Sequence, residues 1–384
     1  MRGHTKRGAH RGVPIFTLAL IVATCCAPVS SSSASTPATK SPQPVLLSQV
    51  GLSNVLYVLW TRNCANDKSC YALERSDDGG QTFTRVNAPP VTFGRTNQSG
   101  PLYELDFANG NDGLAVVQIA NSQTALYATF NGGVSWQRDI IRADQRVNTV
   151  ASTSTAFYAV TSSCPNPHKS CASGQLDSSP VTSSHWTAHF LPIGLKDVSA
   201  LPNIAAFGND VWLTTQEQVG PGTAFLATSY DGGKTFAIRS KPLLSSIVAC
   251  GLTATSTVTL WAQCDQGMMH GDIVFSHDGG ATWSYGHGGI SHFGFGTFDP
   301  ISTFAAVFIN YMDGAQRPDI QLLSAPLSKS VALGRPPGTN ITQLLFVNPV
   351  QGVALGHGNG TGQFDTLYET SDGAKQWRVS ALAI

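Results

Sequence analysis

Glutamate is scarce in this chain: four occur in 384 residues, at Glu74, Glu104, Glu217 and Glu369. Charged residues of all kinds make up 12%. No segment sustains a 3.6-residue apolar period over several turns, which excludes a helical bundle and an alternating α/β chain. No CxxC pair occurs and the histidines do not cluster with cysteines, so a structural zinc site is not expected and no metal is assigned. Positive charge is nowhere concentrated in the body of the chain, which removes nucleic acid as a partner. Beyond residue 24 no long apolar run follows, so no membrane-spanning helix is expected.

Acids are also absent from the first 40 residues, and this absence is informative. That region carries Arg2, Lys6, Arg7 and Arg11, then a mostly apolar run from Val13 to Thr24. The order is that of an export signal, too short for the roughly 20 apolar residues of a bilayer span. Val22-Ala23-Thr24-Cys25 also resembles a lipoprotein processing box with Cys25 as lipid acceptor, although Thr24 departs from the usual small residue. Residues 1–29 are therefore read as an export signal, of either ordinary or lipoprotein type. Residues 30–44, rich in Ser, Thr, Ala and Pro, are read as a flexible tether. Residues 45–384 are read as one folded domain, secreted or attached to the cell surface of an exporting bacterium. Six cysteines remain in it, in sequence-adjacent couples: Cys64 with Cys70, Cys164 with Cys171, and Cys250 with Cys264. Proximity favours these three bridges in an oxidising compartment.

What the sequence does contain is a recurring octapeptide. It reads SDDGGQTF from Ser76, TFNGGVSW from Thr129, SYDGGKTF from Ser229, SHDGGATW from Ser276 and TSDGAKQW from Thr370. The terminal aromatics stand at Phe83, Trp136, Phe236, Trp283 and Trp377, separated by two intervals near 50 residues and two near double that. The double gaps predict decayed copies ending near Trp186 and Val331, making seven. Short runs rich in Val, Leu, Tyr and Phe precede and follow each copy, four to a unit, which is the strand signal. A four-stranded unit repeated seven times describes an all-β, seven-bladed β-propeller of antiparallel blades.

The octapeptide has a local physical job. Asp78, Asp231, Asp278 and Asp372 can accept backbone amides within a tight turn, and the glycines, including Gly80, Gly133, Gly233 and Gly280, can take positive φ. Ser76, Ser229 and Ser276 add short hydroxyls to the same network. Asn131 stands where the other copies have aspartate, which preserves hydrogen bonding and loses the charge; a catalytic acid would not survive that change. The pattern resembles the Asp box of bacterial-neuraminidase (BNR) repeats, and the resemblance covers the whole folded domain. Sialidases, sortilin-type receptors, xyloglucanase-type glycoside hydrolases and photosystem II assembly-factor-like propellers share this feature. GNDG-LAVV from Gly110 and NPVQG-VALG from Asn348 look most like the last group. The resemblance implies that the box joins the third and fourth strands of a blade and faces away from the ligand side.

If the chain were a sialidase, the same resemblance would imply an arginine triad, a Tyr/Glu nucleophilic pair and an acidic proton donor. The stretch SPQPVLLSQVGL, where the first arginine of that triad would stand, contains none. Glu74 and Glu369 directly precede boxes and are expected to face solvent. Arg95, Tyr103 and Glu104 lie close together in what reads as the first interblade connection. The glycine-rich GHGNGTG at 356–362 is followed by no helix, so it is read as a turn and no cofactor is expected.

Loops in such a blade alternate between two faces. The Cys64–Cys70 and Cys164–Cys171 loops then decorate the face opposite the boxes. So does the connection carrying Tyr285, His287, His292, Phe293 and Phe295, whose rings and imidazoles suit a sugar or protein. With Arg95, Tyr103 and Glu104, these are the candidate ligand-binding residues. The expected function is non-catalytic binding or assembly by a monomer, with a protein or glycan partner on that face. The alternative is an exo-sialidase-like glycoside hydrolase acting on extracellular glycans.

Overall fold

The computed structural model describes residues 43–64, 68–94, 102–120, 123–142, 145–163, 172–191, 203–214, 226–240, 249–267, 270–291, 298–310, 319–324, 329–337, 341–357 and 364–380. Residues 40–384 group into one compact unit. The export signal, most of the tether and the Cys164–Cys171 couple lie outside the described residues.

Seven four-stranded antiparallel sheets succeed one another along the chain, each taken from consecutive strands. Blade 1 comprises Gln43–Gln49, Leu56–Asn63, Lys68–Ser76 and Thr84–Val86; blade 2 comprises Leu102–Phe107, Asp112–Ala120, Gln123–Phe130 and Gln137–Asp139. Blade 3 is built from Gln145–Ser152, Ala156–Ser163, Ala172–Pro180 and Thr187–His189, and blade 4 from Asn203–Phe207, Asp210–Thr214, Leu226–Ser229 and Ala237–Ser240. Blade 5 contains Ala249–Ala254, Leu260–Gly267, His270–Ser276 and Ser284–Ser291. Blade 6 contains Phe298–Ser302, Ala305–Asn310, Asp319–Ser324 and Lys329–Ala332. Blade 7 closes the series with Ile341–Phe346, Gly352–His357, Phe364–Thr370 and Arg378–Val379. A short extra strand, Thr92–Gly94, pairs with the third strand of blade 1 beside Cys70. The expected seven-bladed, all-β architecture is what the molecule has.

A blade is a flat wedge with a neighbour on each face, so its middle strands must be apolar on both sides. The second strands show this: Leu56 to Trp60, Leu114 to Val117 and Phe157 to Val160 are buried without interruption. Alternation then sorts side chains between neighbours. In blade 5, Leu260, Ala262 and Cys264 pack towards blade 4, while Trp261 packs towards Phe308 of blade 6. Seven apolar clusters result, each shared by two adjacent blades. One of them joins Leu345, Val353 and Leu355 of blade 7 to Leu56, Val58 and Trp60 of blade 1. Among the described residues no strand is exchanged between the first and last blades, and side-chain packing joins them.

The sandwiching of every blade corrects one expectation. Glu74 and Glu369 do not face solvent: each is only 6% exposed. Glu369 accepts from Arg378 Nε at 3.0 Å, while Glu74 lies beside Trp60 and Arg85, its carboxyl pushed above the ordinary range by burial. Cys64 and Cys70 are bonded across the second-to-third turn of blade 1, and Cys250 and Cys264 join directly paired positions in blade 5. Two such bridges point to an oxidising, extracytoplasmic environment. Among the described residues, no helix is long and apolar enough to cross a membrane.

Candidate functional site

The five octapeptides form one turn between the third and fourth strands, with the same amide-accepting bonds in every copy. In each, the leading hydroxyl accepts the amide four residues on, at 2.8 Å for Ser76 with Gly80, Ser229 with Gly233 and Ser276 with Gly280, and at 2.9 and 3.0 Å for Thr129 with Gly133 and Thr370 with Ala374. The same hydroxyl donates to the side chain two residues on, for example Ser229 to Asp231 Oδ1 at 2.7 Å. That acid in turn accepts the amide of the seventh position, as Asp278 does from Thr282 at 2.9 Å. Asn131 fits the plan by accepting the Ser135 amide through Oδ1 and donating to its hydroxyl through Nδ2. Hydrogen bonds from Thr235 hold the Asp231 carboxyl far below the usual range. At Asp278 burial acts the other way and is outweighed by the hydroxyls and amide of Thr282 and Ser276. These carboxylates are committed to the turn and stay ionised.

The turn also fixes the packing of its neighbours. Its third-to-fourth loop donates an amide to the first-to-second turn of the same blade: Gly79 to Asn54, Gly132 to Asn111, Gly232 to Asn209, Gly279 to Val258 and Gly373 to Val350. Both kinds of turn therefore lie on one rim. The aromatic reaches the blade before: Trp136 Nε1 donates to Asn87 O at 2.8 Å, and Trp377 Nε1 to Gly334 O at 3.0 Å. The decayed third copy keeps this link, with Trp186 Nε1 donating to Asp139 Oδ2 at 2.9 Å. In blade 6, Val331 lies within the fourth strand rather than ahead of it, and its turn at 325–328 is outside the described residues.

First strands face the axis and enclose a cavity of about 630 Å³. Its described wall runs from mid-strand residues such as Leu47, Val150 and Leu252 to the rim of repeated turns, where Gly51, Leu52, Ser154, Phe207 and Gly208 stand at the mouth. Three carboxyls occupy the wall: Glu104, Asp106 and Asp299. Among the described lining residues none is Lys, Arg or His. Burial pushes Glu104 up to about 8 and Asp299 to about 7, and raises Asp106 as well.

Two of these acids cap the neighbouring blade. Glu104 Oε1 accepts from Thr149 Oγ1 at 3.0 Å and Oε2 from Val150 N at 3.1 Å. Asp299 Oδ2 accepts from Phe346 N at 2.5 Å. Neutral side chains do the same elsewhere, Asn203 Oδ1 taking Leu252 N at 2.9 Å and Gln343 Oε1 taking Leu47 N at 2.7 Å. The recurring element is a polar side chain on one first strand capping an amide of the next. Asp106 differs: it lies beside Ser152, and its buried Oδ2 has no hydrogen-bond partner.

The remaining candidates are less assembled. Glu104 belongs to the first strand of blade 2, facing the axis, and not to a connecting loop. Tyr285 and His287 fall within the fourth strand of blade 5, opposite Val274 and Ile273, and not in the connection that follows. Tyr103 lies in the same strand as Glu104; only its backbone is described. Arg95, His292, Phe293, Phe295 and Glu217 lie outside the described residues. Phe298, from the same aromatic stretch, packs its ring 6.0 Å from that of Trp261 and seals the junction of blades 5 and 6. Asp106 and Asp299 were missed by sequence reasoning: Asp299 is a single acid in the strand FDPIS, and Asp106 shares the strand LYELDF with Glu104. The i, i+2 spacing of Glu104 and Asp106 is a signal that could have found Asp106, since it puts both on one face of a strand; Asp299 carried none.

No protein-family model matches this chain, and no curated protein matches it either. Solved structures do. The β-propeller domain of the trilobed protease from Pyrococcus furiosus, described as having an open velcro topology, superposes with a TM-score of 0.59 at 7% identity, covering 89% of this chain and 96% of that one. A puromycin hydrolase, as its S511A mutant, gives 0.60 at 12% identity over 89% of this chain and 54% of that one, so the chain spans about half of that hydrolase. YCF48 from Cyanidioschyzon merolae matches at 0.49 and 12% identity, covering 74% of this chain and 86% of that one. At such identities the likeness is one of fold.

Proposed function

We propose that this propeller is an exported, non-catalytic module of the BNR type that binds or assembles with a protein or glycan partner. The observation that carries this reading is how the cavity carboxyls are used. A glycosidase needs one carboxyl free to protonate the leaving oxygen and another free to attack or to activate water. Glu104 spends both oxygens on Thr149 and Val150, and Asp299 caps Phe346. A sialic acid carboxylate would need guanidinium groups, and the described wall offers none. The connections 95–101 and 292–297 lie outside the described residues; the ligand-binding candidates that they carry, Arg95, His292, Phe293 and Phe295, belong to this proposal as positions to test for sugars.

One observation favours the alternative, a glycoside hydrolase. Glu104 and Asp106 stand two residues apart on one strand, roughly 7 Å along it. A carboxyl held up to about 8 is protonated at neutral pH, as a general acid must be. Exposing the protein to fluorogenic sialosides and to a glycan array separates the two readings. Retention on the array without turnover is the expected result. Hydrolysis that disappears in Glu104→Gln would overturn the binding reading.

A further inference from the structure

The rim bearing the repeated turns is organised in three concentric zones. At its centre is the throat, with Glu104, Asp106 and Asp299 and no described basic group. Around it stand the first-to-second turns, whose described residues carry no charge between strands. Four of these seven turns instead present an exposed apolar side chain, Leu52, Val258, Phe304 and Val350, and Phe207 ends the strand leading into a fifth, opposite Asp210; each is between 40 and 64% exposed. The outermost zone is the third-to-fourth turns, with Asp77, Asp78, Asp231, Asp278 and Asp372 against Lys234 and Lys375.

Chance scatter does not account for the middle zone. Large apolar residues at hairpin tips contribute nothing to the blade core, and turns favour Gly, Asn, Asp and Ser. Singly exposed apolar residues need no explanation, but a ring of them around a cavity mouth does. The charge distribution then selects the partner. The described throat offers an anionic ligand no counter-charge, and the turn aspartates around the ring disfavour it further, while Asp77 is paired with Arg75. Asp106, whose buried Oδ2 has no hydrogen-bond partner among the described residues, is one of the carboxyls lining the throat that a cation would enter.

We propose that this rim docks a polypeptide segment presenting a lysine or arginine between apolar side chains, the cation seated in the throat and its neighbours resting on Leu52, Phe207 and Phe304. This deepens the binding reading and rests on it, while placing a surface on the side away from the candidate sugar loops. Neutral glycans lack the cation, and sialylated ones carry the wrong sign.

The test is to pan a phage-displayed library of random dodecapeptides on the immobilised full chain and to measure selected peptides by fluorescence anisotropy. Enriched clones are expected to hold a basic residue flanked within two positions by Leu, Ile, Val, Phe or Trp. Replacing that basic residue with norleucine should weaken binding by about tenfold or more. Phe207→Ser combined with Phe304→Ser should do the same, and Asp106→Asn should abolish the preference for the basic peptide. Ile238→Ser combined with Val379→Ser removes equally exposed apolar groups from outer strands and should change nothing. Far-ultraviolet circular dichroism checks each variant; should the Phe207/Phe304 pair unfold, Leu52→Ser with Val350→Ser replaces it. Absence of enrichment, enrichment of acidic or uncharged peptides, or equal loss from the outer-strand variant overturns the proposal. Binding of the selected peptides that survives Phe207→Ser with Phe304→Ser overturns it too, and leaves the general binding reading standing.

Discussion

Gln343 Oε1 in blade 7 accepts the amide proton of Leu47 in blade 1 at 2.7 Å, joining positions 296 residues apart. Among the described residues no strand is shared across this junction, and this cap and one apolar cluster link the two blades. Gln343→Leu keeps the size of the side chain and leaves the Leu47 amide unpaired, a cost of about 1 to 3 kcal/mol. The same kind of change at Asn203→Leu removes an equivalent cap inside the ring. Hydrogen exchange should distinguish them. Gln343→Leu is expected to speed exchange in blades 1 and 7 selectively, because the open junction is where the ring can part. Exchange raised evenly in all blades would show that closure does not depend on this bond.

The tryptophans of the repeated turns offer an internal control. Trp136 donates its indole N–H to Asn87 O, whereas the buried Nε1 of Trp283 has no partner. Both changes to Phe remove similar ring area, and Phe83 and Phe236 already serve at this position. Trp136→Phe should therefore destabilise by about 1 kcal/mol more than Trp283→Phe, since the first gives up a hydrogen bond and the second removes a buried donor that makes none among the described residues. Urea denaturation midpoints measure the difference; equal losses would mean the interblade bond contributes nothing.

Burial of the throat acids sets a pH dependence. Glu104 is raised from 4.5 to about 8 and Asp299 from 3.8 to about 7, so between those limits the folded chain binds more protons than the unfolded one. Stability then falls as pH climbs from about 5 to about 8. Glu104→Gln retains an acceptor for the Val150 amide, and the Thr149 hydroxyl can reverse its role to accept from the new amide. The double variant with Asp299→Asn should show a flatter melting temperature across that window. A fall as steep as that of the unaltered protein would mean that other groups carry the effect.

The repeated turn made the fold legible because its work is local: the hydroxyl, acid and glycine that it needs lie within eight residues, and the blade count followed from intervals alone. The throat was not legible. Glu104 caps an amide 46 residues away, and nothing in LYELDF says that its strand is innermost. Asp106 and Asp299 carried no motif for the same reason. Glycine-rich SYGHGGIS looked like a loop around Tyr285 and His287, yet an edge strand needs only backbone pairing, which overrides weak propensity. Glu74 and Glu369 were misplaced because alternation implies exposure only where one face of a sheet meets water, and here both faces meet other blades.

Backbone conformation at the fifth position of the turn gives the last prediction. Gly280 sits at φ +88°, and a Cβ there would lie 2.2 Å from Leu226 Cδ2 in blade 4. Ala374 holds the equivalent place in blade 7 at φ 61°, fully buried within the junction of blades 6 and 7. Gly280→Ala adds left-handed strain to a clash with the packed neighbour, and should cost about 2 to 4 kcal/mol. Ala374→Gly relieves the same strain while giving up one buried methyl, about 0.8 kcal/mol, so the two nearly cancel and the net change should stay below about 1 kcal/mol. Thermal denaturation of the pair tests whether the turn tolerates a side chain only where the preceding blade leaves room. If Gly280→Ala proves as mild as Ala374→Gly, then the fit between turn and neighbouring blade is looser than the 2.2 Å approach requires.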